Sequence, residues 1–292
     1  MKIIIHSYST TGIRPHNEDA MDIINNLDLQ DQSLVKILYA GVFDGHGGGS
    51  ISKTLIDKEK INIAKYFTNK ISPIANNISA TRSYNKKIII PLFTRIQEKL
   101  KNFHIHSNKM GSTALISLLY PRSEKSDKLN LKIINLGDTR ATSCNEYNIA
   151  VQLSLDHKPH LLCEKYRIEL LGGSITESDG DDPRVGGMSV SRSFGDLDNK
   201  YISQIPDVFD YTIDREKFII LGCDGVWDVL SNQDAVDFVL DRYYKLIKDK
   251  KILTNFKAKS EQNIANKLAD YAIAKGSKDN ISLYILFFTD HM

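Results

Sequence analysis

The sequence contains little cysteine and no long apolar run, and each absence excludes a class of protein. Cys144, Cys163 and Cys223 have neither CxxC nor Cys/His metal spacing and cannot all pair with one another, so we expect free thiols in a reducing compartment. No stretch of about 18 apolar residues occurs, and MKIIIHSYSTTG at the start is too short an apolar run for a signal-peptide core. We therefore expect an intracellular protein, cytoplasmic or nuclear, without a membrane partner.

An excess of charge of one sign is also lacking. The chain has 38 Lys and Arg against 36 Asp and Glu, a net charge of +2, and no dense basic block, which argues against a nucleic-acid partner. With 292 residues, 41% of them hydrophobic, the chain can bury a substantial core in one large domain or two small ones, and no repeat or long linker marks a boundary between two. We expect a single domain over residues 1–292 and a monomer.

Apolar patterning predicts a mixture of strands and helices. The order of elements does not follow strict βαβ alternation, which favours antiparallel sheets with helices packed outside them. Strands are predicted within residues 2–8, 34–44, 112–120, 129–138, 217–224 and 280–288. Helices are predicted from apolar stripes at Leu92, Ile96, Leu100 and Phe103; at Leu162, Tyr166 and Leu170; at Val236, Val239, Leu240, Tyr243 and Ile247; and at Ile264, Leu268, Tyr271 and Ala272.

Turn and capping residues predict where these elements end. Glycines 172–173 and Gly276 should stop the second and fourth helices, and Ser231 and Ser260 precede the third and fourth. Residues 69–87 are expected to form a mobile loop, and residues 121–128 an exposed hairpin tip.

Aspartate recurs beside glycine at the edges of four apolar runs. The stretches are LYAGVFDGHGG, LKIINLGDTR, FIILGCDGVWD and AKGSKDNIS, which carry Asp44, Asp138, Asp224 and Asp279. A strand tip on a packed sheet is a rigid mount, and a neighbouring glycine lets a backbone carbonyl or ligand approach closely. The stretch RPHNEDA adds two adjacent acids, Glu18 and Asp19.

This recurrence indicates a metal site. A single aspartate after a strand is most often a turn or cap residue, but several acids without basic partners repel one another and need cations. Oxygen ligands favour Mg²⁺ or Mn²⁺ over zinc, and carboxylate-held ion pairs usually serve phosphoryl chemistry. The DxDx[TV] motif of phosphatases with an aspartate nucleophile is absent, so direct attack by a metal-bound hydroxide is preferred.

A set of motifs resembles one enzyme family. RPHNEDA, VFDGHGG, GSTA, NLGDTRA, LSLDHKP, RVGGMSVSRSFGD, CDGVWDVLS and GSKDNIS occur in the order found in metal-dependent Ser/Thr protein phosphatases of type 2C, the PPM family, over about residues 12–287. The resemblance implies an α+β fold of four layers, α-β-β-α, with two antiparallel sheets flanked by helices. It also implies hydrolysis of phosphoserine and phosphothreonine in proteins without a phosphoenzyme.

The same resemblance implies a role for each acid at two Mg²⁺ or Mn²⁺ ions. Asp44 resembles the acid that bridges both ions, and Asp19 the acid that supports metal-bound water. The remaining ligands implied are Glu18 and the Gly45 carbonyl on one ion, Asp224 and Asp279 on the other, and Asp138 and Asp228 at a third, weaker ion.

Two further residues resemble catalytic positions of the family. Arg14 looks like the residue that binds the substrate phosphate, since a planar guanidinium matches phosphate oxygens. His46 looks like the general acid for the departing alkoxide, because imidazole can donate a proton near neutral pH.

Other conspicuous side chains are interpreted as structural. His157 and His160 resemble parts of a structural turn, His104 and His106 have no acidic partner in sequence, and Trp227 is expected in the core. The stretch SITESDGDDP, residues 174–183, occupies the place of the family's substrate-selecting flap and is short and acidic. Two other functions stay open: a binding adaptor that has lost catalysis, and a phosphatase of small metabolites.

Overall fold

Two five-stranded antiparallel sheets form the centre of the fold. The computed structural model describes residues 2–27, 36–69, 74, 82–103, 108–122, 128–248 and 263–292. The first sheet contains, in spatial order, β1 (Ile3–Thr10), β15 (Ile281–Phe288), β14 (Phe218–Gly222), β8 (Arg140–Cys144) and β9 (Ala150–Gln152). The second contains β13 (Asp207–Ile213), β7 (Leu129–Leu136), β6 (Ala114–Pro121), β3 (Leu38–Phe43) and β2 (Ala20–Asn25).

The central strands are buried on both faces. In β14, Ile219 and Leu221 join a cluster shared with the second sheet, whereas Phe218 and Ile220 join a cluster on the opposite face. Side chains alternate across a strand, so such a strand needs apolar residues at every position. This explains the nearly continuous apolar sequence of β14, and all six strands predicted from alternation or β-rich runs are confirmed.

Helices cover the outer face of each sheet. Apolar residues of three helices pack on the second sheet, and those of three later helices pack on the first, which completes the α-β-β-α order. The helices are α1 (Ser50–Ile56), α2 (Lys65–Thr68), α3 (Arg82–Phe103), α4 (Leu162–Leu170), α5 (Asp224–Trp227), α6 (Asn232–Lys248) and α7 (Ile264–Ala274). The helices on the second sheet are α1, α2 and α3, and those on the first are α5, α6 and α7. The expected four-layer α+β sandwich is confirmed.

Short elements lie between the layers. A three-stranded sheet consists of β12 (Phe194–Gly195), β5 (Gly111–Ser112) and β4 (Gly45–His46), and a hairpin consists of β10 (Ile175–Thr176) and β11 (Arg184–Val185). A 3₁₀ helix, Thr289–His291, follows β15. Within the described ranges, none of the helices has the length and apolar character needed to cross a lipid bilayer.

Helix ends follow local hydrogen bonding. Ser231 Oγ accepts from Asp234 N at 3.1 Å ahead of α6, as its position predicted. The cap of α7 is Asn263, whose side chain accepts from Ala265 N, and Ser260 lies outside the described residues. Gly276 ends α7 with φ +101°, and Ser277 N donates to Ala272 O at 3.0 Å.

The expected mobile loop is partly wrong. Helix α3 already begins at Arg82, so residues 82–87 are helical rather than loop. The other described part of this stretch is limited to residues 69 and 74, and residues 70–73 and 75–81 lie outside the description. Residues 123–127 of the expected hairpin tip lie outside it as well, although β6 and β7 do pair as antiparallel neighbours.

Helix α4 forms where expected but presents the opposite face. Leu162, Tyr166 and Leu170, the stripe expected to be buried, are 82%, 64% and 69% exposed. The buried positions are Ile168 and Glu164, whose carboxylate accepts hydrogen bonds from the side chains of arginines 167 and 192 and of Ser191. Although burial opposes ionisation, these hydrogen bonds lower the pKa of Glu164 to about 2. An ionic network therefore anchors the helix.

The same substitution should cost much more stability in the buried core than on the exposed face of α4. Leu286→Ala should lower the free energy of unfolding by about 2–5 kcal/mol, because Leu286 is fully buried between the sheets and its loss leaves a cavity. Leu162→Ala on α4 should change it by less than about 0.5 kcal/mol. Urea denaturation of both variants measures the difference, and similar losses would show that α4 buries its apolar stripe.

Candidate functional site

Acidic side chains meet at one end of the sandwich because four strands begin or end there. Strands β3 and β7 both pair antiparallel with β6, so their carboxyl ends, followed by Asp44 and Asp138, lie at the same edge. In the other sheet, β14 runs antiparallel to β15, which places Asp224 near the start of β15. Ligand oxygens of Asp44, Asp138 and Asp224 lie within 4.8 Å of one another. Asp19 lies equally close to Asp44, and we call these four residues the acid cluster.

Three acids of the cluster, Asp19, Asp44 and Asp224, form no ion pair with a basic side chain in the described part of the chain. Burial, together with the charges of Asp224 and Asp19, raises the pKa of Asp44 well above its usual range. Burial and the charges of Asp138 and Asp228 likewise raise the pKa of Asp224. Burial, opposed by hydrogen bonds from Ser282 and Cys223, raises the pKa of Asp19 to about 6. Cations would therefore stabilise the ionised cluster.

The close approach of the Glu18 backbone explains why position 45, in the motif VFDGHGG, is a glycine. A Cβ atom on Gly45 would lie 2.3 Å from the carbonyl oxygen of Glu18, so only glycine lets these segments meet. The sequence prediction that glycine permits close approach is correct at this position. Glu18 itself is half-buried, and its backbone N–H donates to Asn280 Oδ1 at 2.8 Å.

Asn280 was not anticipated from the sequence, although it belongs to the quoted GSKDNIS motif. Its Nδ2 donates to the carbonyl oxygens of Thr11 and His16 at 3.0 and 2.9 Å. One buried amide therefore holds the loop that carries Arg14 and Glu18 against the start of β15.

Arg14 lies at the rim of the site and already has an acidic partner. Its guanidinium donates to Asp279 Oδ2 at 2.7 Å and, through Nε, to the carbonyl oxygen of Lys278 at 2.9 Å. The side chain is 53% exposed, so it is accessible from solvent. The pair brings together two residues that were predicted for different roles.

The acids expected at a third ion differ in their surroundings. Asp138 is buried and forms an ion pair with Lys158 at 2.6 Å, whereas Asp228 is exposed at the end of α5. Lys158 also lies 3.4 Å from Asp182 in the acidic segment 174–183. Although burial disfavours its charge, Asp138 raises the pKa of Lys158, which therefore stays cationic. Sequence reasoning missed Lys158 in LSLDHKP.

His46 has a partner that the sequence reasoning missed. Its Nε2 lies 2.7 Å from Oδ2 of Asp196, a residue in the quoted stretch SRSFGD. The neighbouring Asp44 is held by Thr113, whose Oγ1 accepts from Asp44 N at 3.1 Å and whose N–H donates to Asp44 O at 2.8 Å. Backbone and side-chain contacts thus fix both ends of the segment from Asp44 to His46.

His157 and Trp227, which were interpreted as structural, have structural partners, whereas His160 is exposed. His157 is buried and its Nδ1 accepts from Gly137 N at 2.9 Å. Trp227 Nε1 donates to Gly222 O at 2.8 Å within the core. His104 and His106 lie outside the described residues.

The donor set fits hard divalent cations. All four members of the acid cluster offer oxygen, and Oδ2 of Asp19 is buried with no hydrogen-bond partner in the described parts of the chain. Cys223 lies beside Asp19 and Asp44, but burial and these charges raise the pKa of its thiol, so it remains neutral. Oxygen ligands without a thiolate suit Mg²⁺ or Mn²⁺ better than zinc.

Comparison with known proteins identifies the family. The family model described as protein phosphatase 2C matches residues 5–281. The chain belongs to the protein phosphatase 2C family. Membership makes it an enzyme of the protein serine/threonine phosphatase class, in which dependence on metal ions is general.

Individual protein phosphatase 2C relatives extend this result. A PP2C-like domain-containing protein of Acanthamoeba polyphaga mimivirus, R307, is 43% identical over 179 residues, covering 56% of this chain and 98% of the relative. Protein phosphatase 1L of Bos taurus is 30% identical over 286 residues, or 96% and 71% of the two chains. The crystal structure of a serine-threonine phosphatase 2C from Toxoplasma gondii shares the fold, with a TM-score of 0.71 at 22% identity over 97% and 94%.

The raised pKa of Asp19 predicts a pH-dependent effect of Asp19→Asn in metal-free protein. An ordinary Asp has a pKa of about 4, so between pH 4 and 6 the folded state binds more protons than the unfolded state, and stability due to Asp19 falls as pH rises. Asp19→Asn should therefore stabilise the protein more at pH 7 than at pH 4.5, by about 2 kcal/mol.

Urea denaturation with excess chelator at both pH values measures this difference. Comparison with the unsubstituted protein is needed because burial lowers the pKa of His6 to about 4, which makes stability rise with pH over the same interval. Equal effects of Asp19→Asn at both pH values would contradict the prediction.

Proposed function

We propose that this chain removes phosphate from phosphoserine and phosphothreonine in proteins, using Mg²⁺ or Mn²⁺ bound at the acid cluster. The observation that carries the proposal is the gathering of the buried and half-buried carboxylates of the acid cluster, among which only Asp138 has a basic partner in the described residues, beside an exposed arginine and a histidine. Glu18, Asp19, Asp44, the Gly45 carbonyl, Asp224 and Asp279 are the groups that would hold two ions. Such ions would supply Lewis acidity that activates a water molecule and offsets the phosphate charge.

The remaining residues would bind and protonate the substrate. Arg14 would exchange its contact with Asp279 for the phosphate oxygens, which a planar guanidinium matches in geometry. His46 would give a proton to the serine or threonine oxygen as the P–O bond breaks, since an alkoxide is a very poor leaving group. Water enters at phosphorus, so inorganic phosphate and the free hydroxyl are the products.

A third ion near Asp138 and Asp228 would face competition. The ammonium group of Lys158 already neutralises Asp138, and a cation would have to displace it or share the carboxylate. Asp228 is exposed, so its carboxylate alone would bind an ion only weakly. We therefore propose that any ion held there is bound more weakly than the other two.

Metal addition tests the proposal directly. Purified protein should release phosphate from a phosphothreonine peptide with Mn²⁺ or Mg²⁺, and excess chelator should abolish the release, because ions held by carboxylates exchange readily. Activity that persists unchanged in chelated protein would contradict the metal requirement. Faster turnover of small phosphorylated metabolites than of phosphopeptides would instead favour a metabolite phosphatase, and no turnover of either would favour an adaptor.

The substitution Asp224→Asn separates chemistry from folding. Turnover should fall below about 1% of the unsubstituted rate, because a metal-binding charge is lost, while the free energy of unfolding should not decrease, because repulsion within the cluster is relieved. Asp270→Asn, the same change at an exposed position of α7, is the matched control and should leave both quantities unaltered. Loss of activity that is explained by unfolding in a thermal melt would contradict this assignment.

A further inference from the structure

The small sheet β12–β5–β4 brings one aspartate to His46. In this sheet His46 of β4 pairs with Gly111 of β5, and Gly111 pairs in turn with Gly195 of β12. Asp196 follows directly, and its Oδ2 lies 2.7 Å from His46 Nε2. Residues 150 positions apart in sequence are thus joined across a strand only two residues long.

Asp196 is held firmly in this position. It is 4% exposed, its N–H donates to Met110 O at 3.0 Å, and the hydroxyl of Ser193 donates to the same Oδ2 that faces His46. Its φ is +47°, in the left-handed region that aspartate tolerates but rarely adopts, and Gly195 before it has φ +81°. Such a backbone conformation persists only where the surroundings determine it.

Gly111 provides the space in which the two side chains meet. A Cβ atom there would lie 2.2 Å from Asp196 Oδ2 and 2.3 Å from His46 Nε2. These distances are too short for any side chain, so the contact between His46 and Asp196 depends on a glycine at this crossing. The polypeptide therefore reserves this space for a carboxylate–imidazole pair.

We propose that Asp196 is a positioning residue for His46 in phosphate release. By accepting the Nε2–H hydrogen bond, the carboxylate fixes the orientation of the ring and determines which nitrogen remains available to the substrate. Nδ1 of His46 has no hydrogen-bond partner among the residues that the structure describes. The protonated ring gives its Nδ1 proton to the departing serine or threonine oxygen, which takes the electron pair of the broken P–O bond. The other proton stays on Nε2, which remains hydrogen-bonded to Asp196.

The inference rests on the proposed function. Substrates whose leaving groups differ in basicity test the role of Asp196. With Mn²⁺ at saturation and chemistry limiting, Asp196→Asn should lower kcat on a phosphothreonine peptide by about 10- to 100-fold, less than the full 10²–10⁴ of general acid catalysis. On p-nitrophenyl phosphate, whose leaving group needs little protonation, the loss should stay below about threefold. His46→Ala should show the same substrate dependence, and adding Asp196→Asn to it should cost little more.

Matched variants separate positioning from general damage. Asp198→Asn, the same change at an exposed site two residues away, should leave kcat unaltered on both substrates. Ser193→Ala removes only the hydroxyl that supports Asp196, and it should give a smaller loss confined to the phosphopeptide. This second variant keeps the test decisive if Asp196→Asn fails to fold.

A spectroscopic readout does not depend on activity. In ¹⁵N-histidine-labelled, metal-free protein, the Nε2–H signal of His46, assigned by its absence from His46→Ala, should shift in Asp196→Asn and persist in Asp198→Asn. Equal kinetic losses on both substrates, no kinetic loss, or an unshifted signal would overturn the role of Asp196. Unsubstituted protein that is inactive on both substrates with metal would instead contradict the proposed function itself.

Discussion

Repulsion between buried carboxylates is the constraint on which the rest of this structure depends. Asp44, Asp138 and Asp224 come from two different sheets, and their mutual repulsion would separate them if either sheet could shift. The apolar layer between the sheets prevents that movement, because close-packed side chains from both sheets leave little freedom to slide. Packing energy in the core thus holds charges together at the edge.

Only part of this charge is offset by the protein's own cations. Lys158 neutralises Asp138 and Arg14 neutralises Asp279, and both bases lie at the periphery of the group. Asp19, Asp44 and Asp224 lie at the centre, and burial raises the pKa of each. The negative charges at the periphery of the site are therefore balanced by basic side chains, whereas those at the centre, where ions would bind, are not.

The sequence predicted the parts of this fold whose signal is local. Strands β14 and β15 are apolar on both faces and stand out without any knowledge of their neighbours. Strand β8, with the sequence RATSC, and the outer strands β2, β9 and β13 were not predicted, because polar or half-exposed strands resemble loops. Helix α4 was placed correctly but turned the wrong way, since its buried contact is the ionic one made by Glu164.

The residues of the candidate site can likewise be separated into those with a local sequence signal and those without one. The acids beside glycine at strand tips were recognisable, because in each motif the aspartate, the glycine and the apolar run are adjacent in sequence. Asp196, Lys158 and Asn280 act through partners 20 to 269 positions away, and no pattern within one stretch reveals such a partner. Strands of two residues, such as β4 and β5, also have no periodicity to detect.

The pairing of β1 with β15 affects how the protein is made. Glu18 and Asn280, which join at the site, are 262 positions apart, and Arg14 and Asp279 are 265 apart. Contacts between residues so far apart in sequence form slowly, because the chain loses conformational entropy before the stabilising contacts are made. Because β15 pairs with both β1 and β14, the first sheet stays incomplete during translation until β15 has left the ribosome. Asp279 and Asn280 directly precede β15, so under the proposed function a partly synthesised chain would lack part of its active site.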